Sequence, residues 1–345
     1  MFLTYLLTIL PIILGGGNSV THIKTDKKNF FSKEYTTILK GLCCLIVIYV
    51  HIHEPFTNTL QDAIGSFAYV CVTLFFLVSA YGMIKSIEHK DSYMKSFWRN
   101  RLVALLVPCL LINIVAFGLE FVNRGEIKLS TLYHLNGYVA VLLEWCVWFY
   151  IVEKCRLKWF KDEKILTDIM LIGGVVVSSL YYYFFIEGNV SVKSGWCFER
   201  IGLVWGVLLY RYYGEIVSWM DCHRWIKVAI LTVISVILGI LYLKYKFVYF
   251  YGAYLLKVIL GLALVTLLFT ATSNYKFGNG VSKWLGNISY EVYLSHGIVM
   301  GTMALYFSQI ESSGWFIIAT FVVTLFLSTC IHAIGKPIVK RLRKV

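Results

Sequence analysis

From end to end the chain alternates apolar runs of roughly 17 to 22 residues with short polar segments, and each run is long enough to cross a bilayer as a helix. None carries the polar face, at helical or strand period, of a half-buried soluble element. The pattern predicts helices near 2–20, 36–52, 64–84, 102–122, 137–152, 165–186, 194–210, 226–243, 250–271, 285–307 and 316–335. The expected fold class is all-α. It is a polytopic transmembrane helix bundle with a ten-helix core over 36–335 and an extra N-terminal helix over 1–20, the whole of 1–345 forming a single integral membrane domain. The first segment is short, contains Pro11 and runs into Gly15, Gly16 and Gly17. A signal peptide is the other reading of it, although no basic residue precedes the apolar stretch.

Composition agrees with the pattern. The chain is 59% hydrophobic and 15% charged, against about 25% charged in ordinary soluble domains. The net charge of +13 would fit a nucleic-acid binder only if the cations shared one folded surface. Instead, 25 of the 32 Lys and Arg lie in alternate segments, 22–40, 85–101, 153–164, 211–227, 272–284 and 336–345, and five lie in the loops between. No nucleic acid is expected. The positive-inside rule puts the basic segments and the C terminus in the cytoplasm of a multi-pass plasma-membrane protein. The nine cysteines form no C-x-x-C pair and read as apolar filler, with no metal expected. No soluble domain or internal repeat is evident, so any chemistry must use the helices and short loops and finish in the bundle or on another protein.

Ionisable groups inside spans cost several kcal/mol unless paired or hydrated, so each is a candidate for function. Lys40 and His51 are eleven residues apart, three helical turns plus about 20°, and share one face about 16 Å apart. His296 lies at a depth that can match His51, and two imidazoles at one level suit proton handling in a wet cavity. A structural role, gluing helices together, is the alternative for each histidine. Glu144 sits one turn before Trp148 on the same face and needs a partner, for which Arg200 and Lys257 qualify. Glu199 and Arg200 point some 100° apart and are not expected to pair with each other. His332 completes the intramembrane set. Lys95, Arg99 and Arg101, just before the span at 102–122, read either as topology determinants or as an anion site at a helix N terminus. The clusters Tyr181–Tyr183 and Tyr249–Tyr251 read as an interfacial belt or a platform for sugars.

Several stretches together resemble the acyltransferase-3 family of membrane proteins, which O-acylate cell-surface polysaccharides, peptidoglycan and related glycans. Lys40 to His51 keeps the spacing of the family's Arg-x10-His with Lys for Arg. Phe75 to Met83 is similar to its FF-x-x-SGY stretch, with Ala80 for Gly. Phe97 to Pro108 resembles the basic start of the following helix, and Val147 to Glu153 its LWFL segment. Trp284 to His296, WLGNISYEVYLSH, matches the LG-x-x-SY-x-x-YL-x-H signature. Ser328 to Pro337 resembles the closing S…IEKP with Gly335 for the acidic residue. Lys at 40 lacks the bidentate geometry of Arg.

The resemblance implies transfer of an acyl group, acetyl first, from cytosolic acyl-CoA to a hydroxyl of a cell-surface glycan or lipid-linked sugar. In that reading Arg99, Arg101 and Lys40 hold the donor's phosphates and His51 is the base. Ser289, Tyr290, Tyr293 and His296 line the reaction cavity, and Glu144, Trp148, Glu199 and Arg200 contact the acceptor. An acyl-enzyme on Ser79, Ser289 or Cys44 ranks below direct transfer. The rival classes are a transporter or flippase for a glycan and an accessory subunit of polysaccharide-synthesis machinery.

Overall fold

The computed structural model describes residues 21–22, 30–52, 64–90, 92–125, 127–160, 163–187, 196–307 and 313–344. They form an all-α bundle, α1 Lys33–Val50, α2 Tyr69–His89, α3 Phe97–Arg124, α4 Gly137–Trp159, α5 Lys164–Tyr181, α6 Ile201–Arg211, α7 Tyr213–Asp221, α8 Arg224–Tyr245, α9 Lys257–Thr272, α10 Gly280–Phe307 and α11 Ser313–Lys344. A π-helical turn, Tyr182–Glu187, continues α5, and another, Tyr251–Leu256, leads into α9. The only sheet among the described residues pairs β1, Thr21–His22, with β2, Tyr275–Lys276, antiparallel. The expected helix over residues 2–20 lies outside the described residues.

Local signals set the helix ends. The Ser32 hydroxyl accepts from the Tyr35 N–H at 3.2 Å and Asn136 caps α4 at Tyr138 in the same way, each satisfying an orphan donor of the first turn. Gly125, at φ 66°, closes α3 in the left-handed conformation that helix C termini favour.

Each expected core segment overlaps a helix, with differences at several ends, α4 running on to Trp159 among them. α6 starts at Ile201 instead of 194, because Trp196, at φ 42°, turns the chain and leaves Arg200 as the residue before the first helical turn. α10 begins at Gly280, and α11 runs through Pro337 to Lys344, its last turn carrying Arg341, Arg343 and Lys344, the charges that favour a helix C terminus. α7 is an additional short helix inside the basic segment 211–227.

Six helices, 64–89, 97–124, 164–186, 224–245, 251–272 and 314–344, are long and apolar enough to cross a membrane on their own composition. α1, α4 and α10 are not among them, and these three carry Lys40, Glu144 and Glu291. α1 and α10 sit inside the bundle, where neighbouring helices replace lipid and polar groups are tolerated, whereas α4 turns Val147 and Ile151 outward and keeps Glu144 paired with Arg200.

Two glycine contacts set the core. A Cβ on Gly41 of α1 would stand 2.7 Å from both the Gly286 nitrogen and the Ser282 oxygen of α10, and one on Gly286 would overlap the Thr37 carbonyl. Gly202 and Gly206, a G-x-x-x-G pair on α6, meet the Thr73 and Leu77 carbonyls of α2 just as closely. At the basic end, Arg211 ties Asp168 at 2.8 Å and also pairs with Glu88, joining α2, α5 and α6, while Lys283 and Glu34 join α10 to α1 at 2.5 Å.

Gly286→Ala is therefore expected to destabilise the bundle by about 1–3 kcal/mol, the range for overpacking. Gly301→Ala on the same helix, where an added Cβ meets nothing within 4 Å, should be neutral or mildly stabilising. Thermal unfolding of the two purified variants in detergent checks the contrast.

Candidate active site

α1 and α10 run parallel from the Gly41–Gly286 contact, and ten residues further on the end of α1 meets the middle of α10. There the His51 and His296 rings stand 4.8 Å apart, edge to face. His51 lies one residue past the last turn of α1, exposed, instead of deep within a span. Its Nδ1 sits 2.7 Å from the Val47 carbonyl, and a carbonyl only accepts, so Nδ1 carries the proton and Nε2 is the basic nitrogen of the neutral ring. His296, 7% exposed, makes the same contact to the Val292 carbonyl at 3.1 Å. Both imidazoles thus present Nε2.

Nearer the basic end, a cavity of about 210 Å³ opens between α1, α2, α3, α4 and α10. Its polar walls are Lys40, Ser79, Tyr138, Ser289, Tyr290 and Tyr293. Neither histidine lines it. Tyr293 stands between, its ring 4.5 Å from Tyr138 on one side and 5.7 Å from His296 on the other. The Tyr290 hydroxyl donates to the Leu105 carbonyl at 2.8 Å, and the Ser289 hydroxyl donates to the Gly286 carbonyl at 2.9 Å. Tyr290 therefore pins α10 to α3.

Glu291, 6% exposed, lies within Coulombic range of Lys40 and accepts from His332 of α11 at 2.8 Å. This carboxylate has no counterpart among the ionisable groups expected from the sequence. The available signal was an acidic residue within a span, obscured because it falls inside the SYEVYLSH stretch read as one signature.

A second cavity, about 920 Å³, lies between α4, α5 and the start of α6. Arg200, 1% exposed, forms its floor. The guanidinium pairs with the Glu144 carboxylate at 3.0 and 3.2 Å, contacts the Ser178 hydroxyl, and lies 4.0 Å from the centre of the Tyr182 ring. Glu144 also accepts from Ser178. Trp148 shares the wall, its indole N–H donating to the Met170 carbonyl at 3.1 Å. Of the two cations considered for Glu144, Arg200 is the partner, whereas Lys257 sits 3.9 Å from the Phe198 ring centre. Glu199 is half-buried on a different side, facing Tyr69, Tyr242 and Tyr293, and does not line this cavity.

At the basic end Arg99 is exposed, and Arg101 donates to the Tyr93 hydroxyl at 2.6 Å while lying over its ring. Arg343 donates to the Asn100 carbonyl at 3.1 Å and lies within Coulombic range of Arg101, adding a third cation that the sequence did not single out. α3 carries Arg101 one turn from Ala104 and Leu105, which line the Lys40 cavity. Among the described residues no three His, Cys, Asp or Glu side chains converge as a metal centre requires.

An apolar helical bundle with six helices long and apolar enough to cross a bilayer is an integral membrane protein. The chain belongs to the acyltransferase-3 family of membrane acyltransferases: the family profile described as Acyltransferase domain matches residues 34–333, which include every site residue above except Arg343. No curated protein and no solved structure matches it.

Removing Glu144 would strand the Arg200 charge. Glu144→Ala is expected to lose about 3 kcal/mol, the low end for a broken buried pair because the carboxylate itself is 40% exposed. The double variant Glu144→Leu with Arg200→Met should recover most of it. Thermal unfolding of wild type, Glu144→Leu, Arg200→Met and the double variant closes the cycle that measures the coupling.

Proposed function

We propose that the chain moves an acyl group, acetyl first, from cytosolic acyl-CoA to a hydroxyl of a cell-surface glycan. In this reading ten core helices cross the plasma membrane and the basic segments and C terminus lie in the cytoplasm. The observation that carries it is the meeting of His51 with His296 on the same two helices that line the Lys40 cavity.

Arg99, Arg101 and Lys40 hold the donor's phosphates, and the acyl arm enters the cavity along α1. The path to the imidazoles is complete once Tyr293 swings off His296. His51 Nε2 takes the proton of the acceptor hydroxyl as its oxygen attacks the thioester carbon. The Tyr293 hydroxyl donates to the oxyanion of the tetrahedral intermediate. The C–S bond then breaks, and the proton passes from His51 to the departing thiolate, leaving free CoA and the O-acyl ester. Glu291 neutralises Lys40 when no donor is bound.

A second reading, a flippase for a lipid-linked sugar, is favoured by the width of the cavity between α4 and α5. An accessory role in polysaccharide-synthesis machinery would need neither cavity.

In proteoliposomes with labelled acetyl-CoA and a glycan acceptor, His51→Ala and His296→Ala are each expected to reduce transfer about 10²–10⁴-fold. Lys40→Ala should chiefly raise the donor KM. Unchanged transfer in His51→Ala overturns the base assignment, and acyl-CoA-independent sugar translocation favours the flippase.

Cys222, exposed in the basic segment, reports orientation. A membrane-impermeant maleimide should label it in inverted vesicles and not in intact cells.

A further inference from the structure

The larger cavity has the chemistry of a sugar site and the position of a lipid site. Its floor is the Glu144–Arg200 pair with Ser178, a constellation of no net charge that offers carboxylate oxygens, a hydroxyl and guanidinium N–H groups within one hydrogen-bond radius. Neutrality disfavours a phosphate there and suits vicinal hydroxyls, which both donate and accept. Trp145, Trp148 and Trp196 stand around that floor, and flat π faces beside paired hydrogen-bonding groups match the apolar C–H face of a pyranose.

The rim differs in kind. Val147 and Val177, 45% and 67% exposed, border the cavity on the outer surfaces of α4 and α5. Both lie mid-helix, at the depth of lipid chains, so the opening faces hydrocarbon. A free sugar in water has no route through such a mouth, whereas a saccharide on a lipid tail has one.

The back wall adjoins the proposed reaction centre. Trp196 lines this cavity and lies close to Tyr293, which in turn lines the Lys40 cavity and touches His296. That aromatic pair and α4, whose Tyr138 and Leu142 line one cavity and whose Ala140, Val141 and Trp145 line the other, separate the two chambers.

We propose that the acceptor is a membrane-anchored saccharide that slides laterally from the bilayer between α4 and α5 and seats its sugar on the Glu144–Arg200–Ser178 floor. This rests on the acyl-transfer reading for what happens to the sugar, but the binding stands apart from it.

The test uses the full chain in lipid nanodiscs and decyl β-glucoside carrying a diazirine on its alkyl chain. Photolabel is expected on peptides of α4 and α5, competed by decyl β-glucoside and not by decyl phosphocholine or free glucose. Trp148→Ala, and Ala140→Leu, which narrows the cavity from a half-buried wall position, should each lower labelling roughly tenfold, about 1.4 kcal/mol, with both variants monodisperse and melting cooperatively. Label scattered over lipid-facing helices such as α8, labelling unchanged in folded Ala140→Leu, or equal competition by decyl phosphocholine overturns the proposal. Correct labelling without acyl transfer leaves this site standing and removes the catalytic reading. Transfer to a water-soluble glycan that Ala140→Leu leaves intact, with no labelling, does the reverse.

Discussion

The site depends on how closely α1 approaches α10. In lipid there is no hydrophobic drive to bring two helices together, so packing depends on backbone contact, which a side chain at Gly41 or Gly286 would prevent. Because the helices are parallel and in register there, their rise of about 1.5 Å per residue carries His51 and His296 to the same level ten residues later. The imidazole pair is a geometric consequence of two glycines at the opposite end.

A division of labour among helices goes with this contact. α1 and α10 carry Lys40, Glu291 and His296 because other helices shield them. α8 shows the contrary case, with Ile230, Val233, Ile237 and Ile240 all exposed on an apolar surface. Polar residues in the centre need partners: Arg200 is held by Glu144 and Ser178, and Glu291 accepts from His332 through Oε1 with Lys40 within Coulombic range.

The helices were legible because a period of about 20 apolar residues needs no tertiary information. The proximity of His51 to His296 was legible only as a matching depth, since depth follows from sequence and azimuth does not. The start of α6 was misplaced because a Trp at positive φ, wedged against Gly137, leaves no trace in hydropathy. Glu144 could be assigned a need for a partner but not the partner, because Arg200 and Lys257 differ only in which way α6 and α9 face. Glu291 escaped because it stands among apolar and hydroxyl residues in a stretch read as a unit. Both cavities were invisible, being spaces enclosed by helices far apart in sequence.

The two cavities also differ in charge in a way that separates their ligands. Around Lys40 the cation is matched by a single carboxylate whose other oxygen, Glu291 Oε2, has no hydrogen-bond partner among the described residues, and the exposed end of the path adds Arg99, Arg101 and Arg343. That end is cationic and favours a polyanion. Around Arg200 the pair is closed and neutral, and its surroundings are aromatic. A ligand of one kind placed in the other site meets the wrong field: a phosphate beside Glu144 is repelled, and a neutral sugar at Arg99 competes poorly with water. Tyr293, which lines the Lys40 cavity and stands against His296, lies between the smaller cavity and the histidine pair, with the half-buried Glu199 facing it as well.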